Sequence, residues 1–245
     1  MAGEPSFMQY SWILVAAIGA RGVAMSLNRI IDREIDASNP RTSSRHLASG
    51  TMSMNTAFGL CGLFLLMLIV GAWQLNPLCL YLSPIPVLAF LIYPWLKRFT
   101  WGCHLWLGIC LGLAPAGAWV AITGEISSIN WWPELFLVSL SVMFWIAAFD
   151  IGYARMDITS DRENGIRSMP ADLGEKNAII WAVIFTCSWI IMLSTVFQPI
   201  AIIAIGLANL WAITATSKQM ETYQNNLFRV SVSTGWLILL TQQFS

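Results

Sequence analysis

Apolar runs long enough to cross a bilayer follow one another along almost the whole 245-residue chain, and nothing else in it so restricts the fold. A helix needs about 20 apolar residues to span the hydrocarbon layer. Eight stretches reach or approach that length: 10–31, 54–75, 79–96, 102–122, 134–153, 177–197, 199–217 and 227–243. Asn76-Pro77 divides the second from the third, and Gln198-Pro199 the sixth from the seventh. Only 11% of the residues are charged, against roughly a quarter in a water-soluble domain. Lipid gives the backbone no hydrogen-bond partners, which leaves helices or closed barrels as spanning elements. The period-two alternation of a lipid-facing barrel strand is not visible. The expected fold is all-α, a multispanning transmembrane helical bundle of about eight helices, forming a single integral-membrane domain over 1–245.

Net charge is zero and gives no reason to expect a nucleic-acid partner, but the placement of charge is informative. Of thirteen Lys and Arg, all but Arg21 fall on alternate connections or at their edges. Arg29, Arg33, Arg41 and Arg45 follow the first span, and Lys97 and Arg98 the third. Arg155, Arg162, Arg167 and Lys176 follow the fifth, while Lys218 and Arg229 flank the last of these connections. Basic loops stay on the cytoplasmic side, so these loops are expected inside and both termini outside. The five cysteines, Cys61, Cys79, Cys103, Cys110 and Cys187, sit singly in or beside apolar runs and read as small packing residues. The N-terminal MAGEPSFMQY lacks the basic segment of a secretory signal.

The first span ends in LNRIIDREIDASNPRT. Asn28, Asp32 and Asp36 recur every four residues, so on a helix their side chains line one stripe. Two carboxylates and an amide oxygen are hard ligands of the kind Mg²⁺ accepts. The alternative is a solvated helix end with Arg29 and Arg33 as local ion-pair partners. The fifth span runs into FDIGYARMDITSDRENGIRSMP. There Asp150, Asp157 and Asp161 stand seven and four residues apart, compatible with one helical face, with Tyr153 on nearly the same stripe. Asp150 closes an apolar run, and an ionisable group at that depth is a functional candidate, unless Arg155 or Arg21 simply neutralises it.

Both clusters fall on the basic, cytoplasmic side. Two facing acidic stripes would hold one or two Mg²⁺ ions bridged by a polyanion, with Arg41, Arg45, Lys97, Arg98, Arg162 and Arg167 as cationic clamps. Lys97, in KRF after Tyr93-Pro94 at the end of a span, is the foremost of these.

These residues resemble the UbiA family of intramembrane aromatic prenyltransferases. The family's N-x-x-x-D-x-x-x-D motif stands here as Asn28, Asp32 and Asp36, and its D-x-x-Y-x-x-x-D-x-x-x-D motif as Asp150, Tyr153, Asp157 and Asp161. LNRIIDREIDASNPRT, YPWLKRFT, GLAPAGAW and FDIGYARMDITSDRENGIRSMPADLG are similar to the 4-hydroxybenzoate polyprenyltransferase branch and to a related menaquinone-pathway group. The resemblance implies nine helices around a central cavity and a Mg²⁺ cofactor. It also implies a polyprenyl diphosphate donor dissolved in membrane lipid and a small aromatic acid as acceptor, 4-hydroxybenzoate or a dihydroxynaphthoate. By position, Asp32, Asp36, Asp157 and Asp161 would hold metal. Asn28, Arg41, Arg45 and Lys97 would contact the diphosphate, and Asp150 and Tyr153 would lie nearer the reacting carbon. The enzyme would sit in the plasma membrane with its active site facing the cytoplasm.

One departure concerns the start: SWILVAAIGARGVAMSLNRIID aligns with the family's second helix, and Met1–Tyr10 stands where the first would be. A reading frame extending upstream or an inactive paralogue would each account for that. Intramembrane carboxylates also suit an ion-coupled transporter, but such carriers place their sites midway across the membrane at broken helices, whereas these acidic groups gather at helix ends on one face. Acceptor, tail length and oligomeric state are open on the sequence alone.

Overall fold

Serine and asparagine caps and prolines set the helix boundaries. Ser6 and Gln9 form a capping box at the start of α1 (Phe7–Ile31), which continues past a bend at Asp32 into α2 (Arg33–Ser38). Ser53 caps α3 (Met54–Leu75) through the amide of Thr56. Asn76 ends α3 and caps α4 (Pro77–Leu82), accepting from the Cys79 amide while its own side-chain amide donates to the Val120 carbonyl at 2.9 Å. Pro84 opens α5 (Pro84–Leu96), and proline at a helix start loses no intrahelical bond. There follow α6 (Cys103–Thr123), α7 (Glu134–Ala154), α8 (Ile158–Glu163), α9 (Met169–Leu173), α10 (Glu175–Ser194), α11 (Pro199–Thr214) and α12 (Met220–Thr241). This computed structural model describes residues 4–126, 133–215 and 220–241, and among them there is no strand.

Among the described residues, six helical segments are long and apolar enough to cross a membrane: α1, α3, α4 with α5 as Pro77–Leu96, α6, α7 and α10. They match the first six stretches expected from sequence to within three residues at either end. The seventh expectation is met by α11, a shorter apolar helix, and the eighth overlaps α12. Lys218 and the C-terminal ends of those last two stretches lie outside the described residues. All five cysteines are free thiols.

The chain divides into two compact units, Met1–Phe99 with Leu113–Trp132, and Thr100–Gly112 with Pro133–Ser245. In the first, α1 lies against α3 with almost no side chain between them. A Cβ on Gly19 would come within 2.4 Å of the Leu68 nitrogen, and one on Gly71 within 2.8 Å of the Ala16 nitrogen. Small residues at such crossings let membrane helices touch backbone to backbone. In the second, Ala147, Ala148 and Ile151 of α7 meet Ala178, Ala182 and Phe185 of α10, joined by Met169, Ile213, Tyr223 and Leu227.

Each unit turns large apolar side chains outward. Leu14, Phe58, Leu66 and Trp73 are exposed in the first, and Ile191, Ile200, Trp211 and Trp236 in the second. A surface of this kind is an interaction face, and with six spanning helices its partner is lipid. The protein is an integral membrane protein.

Candidate active site

In the first unit the asparagine–aspartate stripe forms as expected, across a bend. The Asp32 amide donates to the Asn28 carbonyl at 3.0 Å, and the Asp36 amide to the Asp32 carbonyl at 2.8 Å. The i to i+4 ladder therefore runs on from α1 into α2 and keeps the side chains on one ridge. The turn after α2 fastens back onto it, with Thr42 Oγ1 donating to the Asp36 carbonyl at 2.9 Å.

Cations surround both carboxylates. Lys97, at the end of α5, pairs with Asp32 Oδ2, and Arg98 Nη2 stands 3.7 Å from Asp32 Oδ1 while donating to the Ile31 carbonyl at 2.9 Å. Arg45 Nη1 reaches Asp36 Oδ1 at 2.6 Å, and Arg29 Nη1 reaches Oδ2 at 3.3 Å. Lys97, Arg98, Arg45 and Arg29 against Asp32 and Asp36 leave the cluster with a positive excess, which suits a polyanion. Arg33, weighed as a local partner for these carboxylates, instead donates to the Leu47 carbonyl. Arg41 lies in the same turn, its backbone amide donating to Asn39 Oδ1.

Asp32 is only 1% exposed, and its Oδ1 is a buried oxygen without a hydrogen-bond donor. Burial pushes its carboxyl above the ordinary value, against the pull of Lys97. A buried carboxylate oxygen lacking a donor is suited to a cation. Among the described residues no three His, Cys, Asp or Glu side chains form a ready-made metal cage. Mg²⁺ does not require one, since it is commonly held by one or two carboxylates with phosphate oxygens and water completing its shell. The donor set therefore fits magnesium.

In the second unit the continuous stripe expected from Asp150 to Asp161 is interrupted. α7 ends at Ala154, and Met156 and Asp157 donate to the Tyr153 and Ala154 carbonyls, three residues back, before α8 begins. Arg155 stands at this break. Its guanidinium turns inward to Glu175 Oε1 (2.9 Å), the Ile213 carbonyl (2.6 Å) and the Tyr223 hydroxyl (2.9 Å), and it lies over the Tyr223 ring. Arg155 thus binds α7 to α10, α11 and α12 and is no partner for Asp150. Arg21, in the first unit, is exposed.

Asp150 is matched instead by His104, at 2.7 Å. Tyr153, three residues on, packs its ring against Phe149, with centroids 4.8 Å apart and the planes tilted by 45°. Asp157 occupies the position before α8, and its carbonyl accepts from the Asp161 amide at 2.7 Å. Asp161 Oδ2 accepts from Ser168 Oγ at 2.5 Å. Two expected clamps are tied locally, Arg162 to the Ala171 carbonyl and Arg167 to Asp172 at 2.8 Å. His104 and Ser168 belong to neither acidic motif of the sequence. The one signal for His104 was a histidine inside an apolar span, one of only two histidines in the chain.

The chain matches the UbiA prenyltransferase family over residues 1–231. It is 32% identical to a 4-hydroxybenzoate octaprenyltransferase of Coxiella burnetii over 166 residues, 68% of this chain and 56% of that protein. It is 30% identical to the enzyme so named in Vibrio atlanticus over 232 residues, 93% of this chain and 76% of that one. The chain thus spans little more than half the length of the Coxiella relative. Among solved structures, a UbiA homolog from Aeropyrum pernix K1 superposes with a TM-score of 0.78 at 30% identity, covering 96% of this chain and 90% of that one. A UbiA homolog from Archaeoglobus fulgidus, solved bound to GPP and Mg²⁺, has the same fold, with a TM-score of 0.72 at 18% identity over 97% of this chain and 89% of that one.

Proposed function

Because the chain belongs to the UbiA prenyltransferase family, we propose that it transfers a polyprenyl group from a polyprenyl diphosphate to a small aromatic acid, 4-hydroxybenzoate, as a step in quinone biosynthesis. The observation that carries this reading is the ridge of Asp32 and Asp36, ringed by Lys97, Arg98, Arg29 and Arg45 in positive excess, with one buried Asp32 oxygen left without a donor. A site of that composition accepts a divalent cation and a polyanion together. The names of the Coxiella and Vibrio relatives supply the acceptor. The family match over 1–231 supports reading the chain as one catalytic domain, and its basic loops support a cytoplasmic active-site face in the plasma membrane.

Asp32 and Asp36 in the first unit, and Asp157 and Asp161 in the second, are the residues that would hold magnesium. When bound, the ion would neutralise the diphosphate and so make it a competent leaving group. Lys97, Arg41 and Arg45 bind phosphate oxygens as charge develops on them, which is electrostatic stabilisation by groups already in position. Asn28 adds an amide on the same ridge. Asp150 and Tyr153 orient the acceptor and the reacting allylic carbon. The apolar interiors of the helices keep water from the electrophile, which water would otherwise quench.

Membranes carrying the chain, given labelled polyprenyl diphosphate and 4-hydroxybenzoate or a dihydroxynaphthoate in parallel, test the proposal directly. Magnesium-dependent labelling of 4-hydroxybenzoate is expected. Labelling confined to the naphthoate moves the protein to menaquinone synthesis, and labelling of neither with intact protein overturns prenyl transfer.

A further inference from the structure

His104 is 2% exposed at the start of α6 and makes two hydrogen bonds with opposite requirements. Its Nε2 lies 3.0 Å from the backbone nitrogen of Met169. A backbone N–H can only donate, so Nε2 accepts. An imidazole with Nε2 accepting carries its proton on Nδ1. That nitrogen stands 2.7 Å from Asp150 Oδ2, so it donates to the carboxylate. The backbone thereby selects the tautomer, and the tautomer holds one oxygen of Asp150. The other oxygen takes part in no hydrogen bond among the described residues.

The same short segment also fixes the far end of the second motif. Ser168, whose peptide link carries the Met169 amide, donates to Asp161 Oδ2 at 2.5 Å. Cys103, beside His104, has its Sγ 3.6 Å from the Arg167 carbonyl, a second tie between these two stretches. The first and last aspartates of the motif, eleven positions apart in sequence, are therefore linked through His104 and the 168–169 peptide. This link replaces the helical continuity that the bend at Arg155 removes.

From this geometry we propose that His104 is a positioning residue for prenyl transfer, fixing the carboxylate of Asp150 in one orientation and coupling it to the segment that holds Asp161. The role rests on the prenyl-transferase reading and extends it to a residue outside both motifs. His104 does not touch substrate; it acts through Asp150.

Two near-isosteric variants separate its two bonds. In His104→Asn the side-chain amide sits where Nδ1 was and can still donate to Asp150. In His104→Gln the amide oxygen reaches the Nε2 position and preserves only the bond from Met169. His104→Leu removes both. In membranes of the full chain, His104→Leu should lower kcat by about 10- to 100-fold, the range seen when partners that orient functional groups are lost, with a much smaller change in KM for the donor. His104→Asn should recover most of kcat, and His104→Gln little of it. In an Asp150→Ala background, His104→Leu should cause no further loss, because coupled residues are not additive. Equal impairment of the Asn and Gln variants, with unaltered melting in detergent, would overturn the positioning role. So would a His104→Leu protein with undiminished turnover, or additive losses in the double variant. An inactive wild-type chain overturns the underlying transferase reading, and a wild-type chain that turns over beside a fully active His104→Leu overturns the positioning role alone.

Discussion

Arg155 Nη1 donates to the Tyr223 hydroxyl at 2.9 Å while its guanidinium carbon lies 4.8 Å from the centre of the same ring. The two residues are 68 positions apart, and between them they fasten the end of α7 to α12. Arg155 is 8% exposed and also serves the Ile213 carbonyl and Glu175. Removing it strands several polar partners at once. Arg155→Leu is expected to destabilise the protein by about 3 kcal/mol, as for a buried charge network that loses a member. Tyr223→Phe should cost about 1 kcal/mol. Arg155→Lys should recover little, since a single ammonium cannot reproduce the planar fork. Thermal unfolding in detergent distinguishes these ranks, and equal melting of Arg155→Leu and wild type would remove the latch.

Asp32→Ala and Asp157→Ala should each reduce magnesium-dependent transfer by about 100-fold or more, the scale on which preorganised electrostatic groups act. Membrane insertion should be unaffected, because both residues lie beyond the spanning helices. Product formation per unit of inserted protein is the measurement. Undiminished turnover in either variant would falsify its assignment to the metal.

Acidity should compete with magnesium at Asp32. Its carboxyl is held above the ordinary value mainly by burial, with Lys97 opposing, and a metal ligand must be deprotonated to bind. The magnesium concentration for half-maximal activity should therefore rise as pH falls, beginning above the normal carboxylate range of about 4. Lys97→Met removes the opposing charge, raises the carboxyl further and moves that acid limb to higher pH. Magnesium titrations across pH in the two proteins test the sign, and a limb that moves downward contradicts the described environment of Asp32.

Two glycines should respond oppositely to enlargement. A side chain at Gly19 meets the backbone of Leu68 at 2.4 Å, whereas one at Gly59 meets nothing within 4 Å. Gly19→Leu should separate α1 from α3 and lower the yield of folded protein. Gly59→Ala should be neutral or raise the melting temperature slightly, because alanine favours the helix by up to about 1 kcal/mol over glycine. Equal yields and melting for the two variants would contradict the close crossing.

The spans were legible because apolar length is a local property: 54–75 and 134–153 coincide with α3 and α7 almost residue for residue. The Asn28–Asp32–Asp36 ridge was legible for the same reason, its ladder being made of neighbours four apart. The break after Ala154 was not. At that break Arg155 meets Glu175 and Tyr223, and nothing in the YARMD segment reveals partners 20 and 68 residues away. His104 was hidden likewise, for a lone histidine carries no chemistry until Asp150 and the Met169 amide are placed on its two nitrogens. Arg162 and Arg167 looked equivalent to Arg45 by charge and position. Only the structure separates the cation on Asp36 from the two bound to their own loop.

The length of α1 has a consequence for what can reach the ridge at its end. Its 25 residues rise about 37 Å, more than the roughly 30 Å of bilayer hydrocarbon, and Asp32 follows directly on the last turn. Packed against α3 at the glycine crossing, the helix is long enough to carry the carboxylates across the hydrocarbon to the level of the lipid headgroups. A molecule with an isoprenoid tail dissolved in the bilayer floats its diphosphate at that same level. Such a donor would meet the charged ridge by lateral diffusion in two dimensions, with its tail never leaving the lipid.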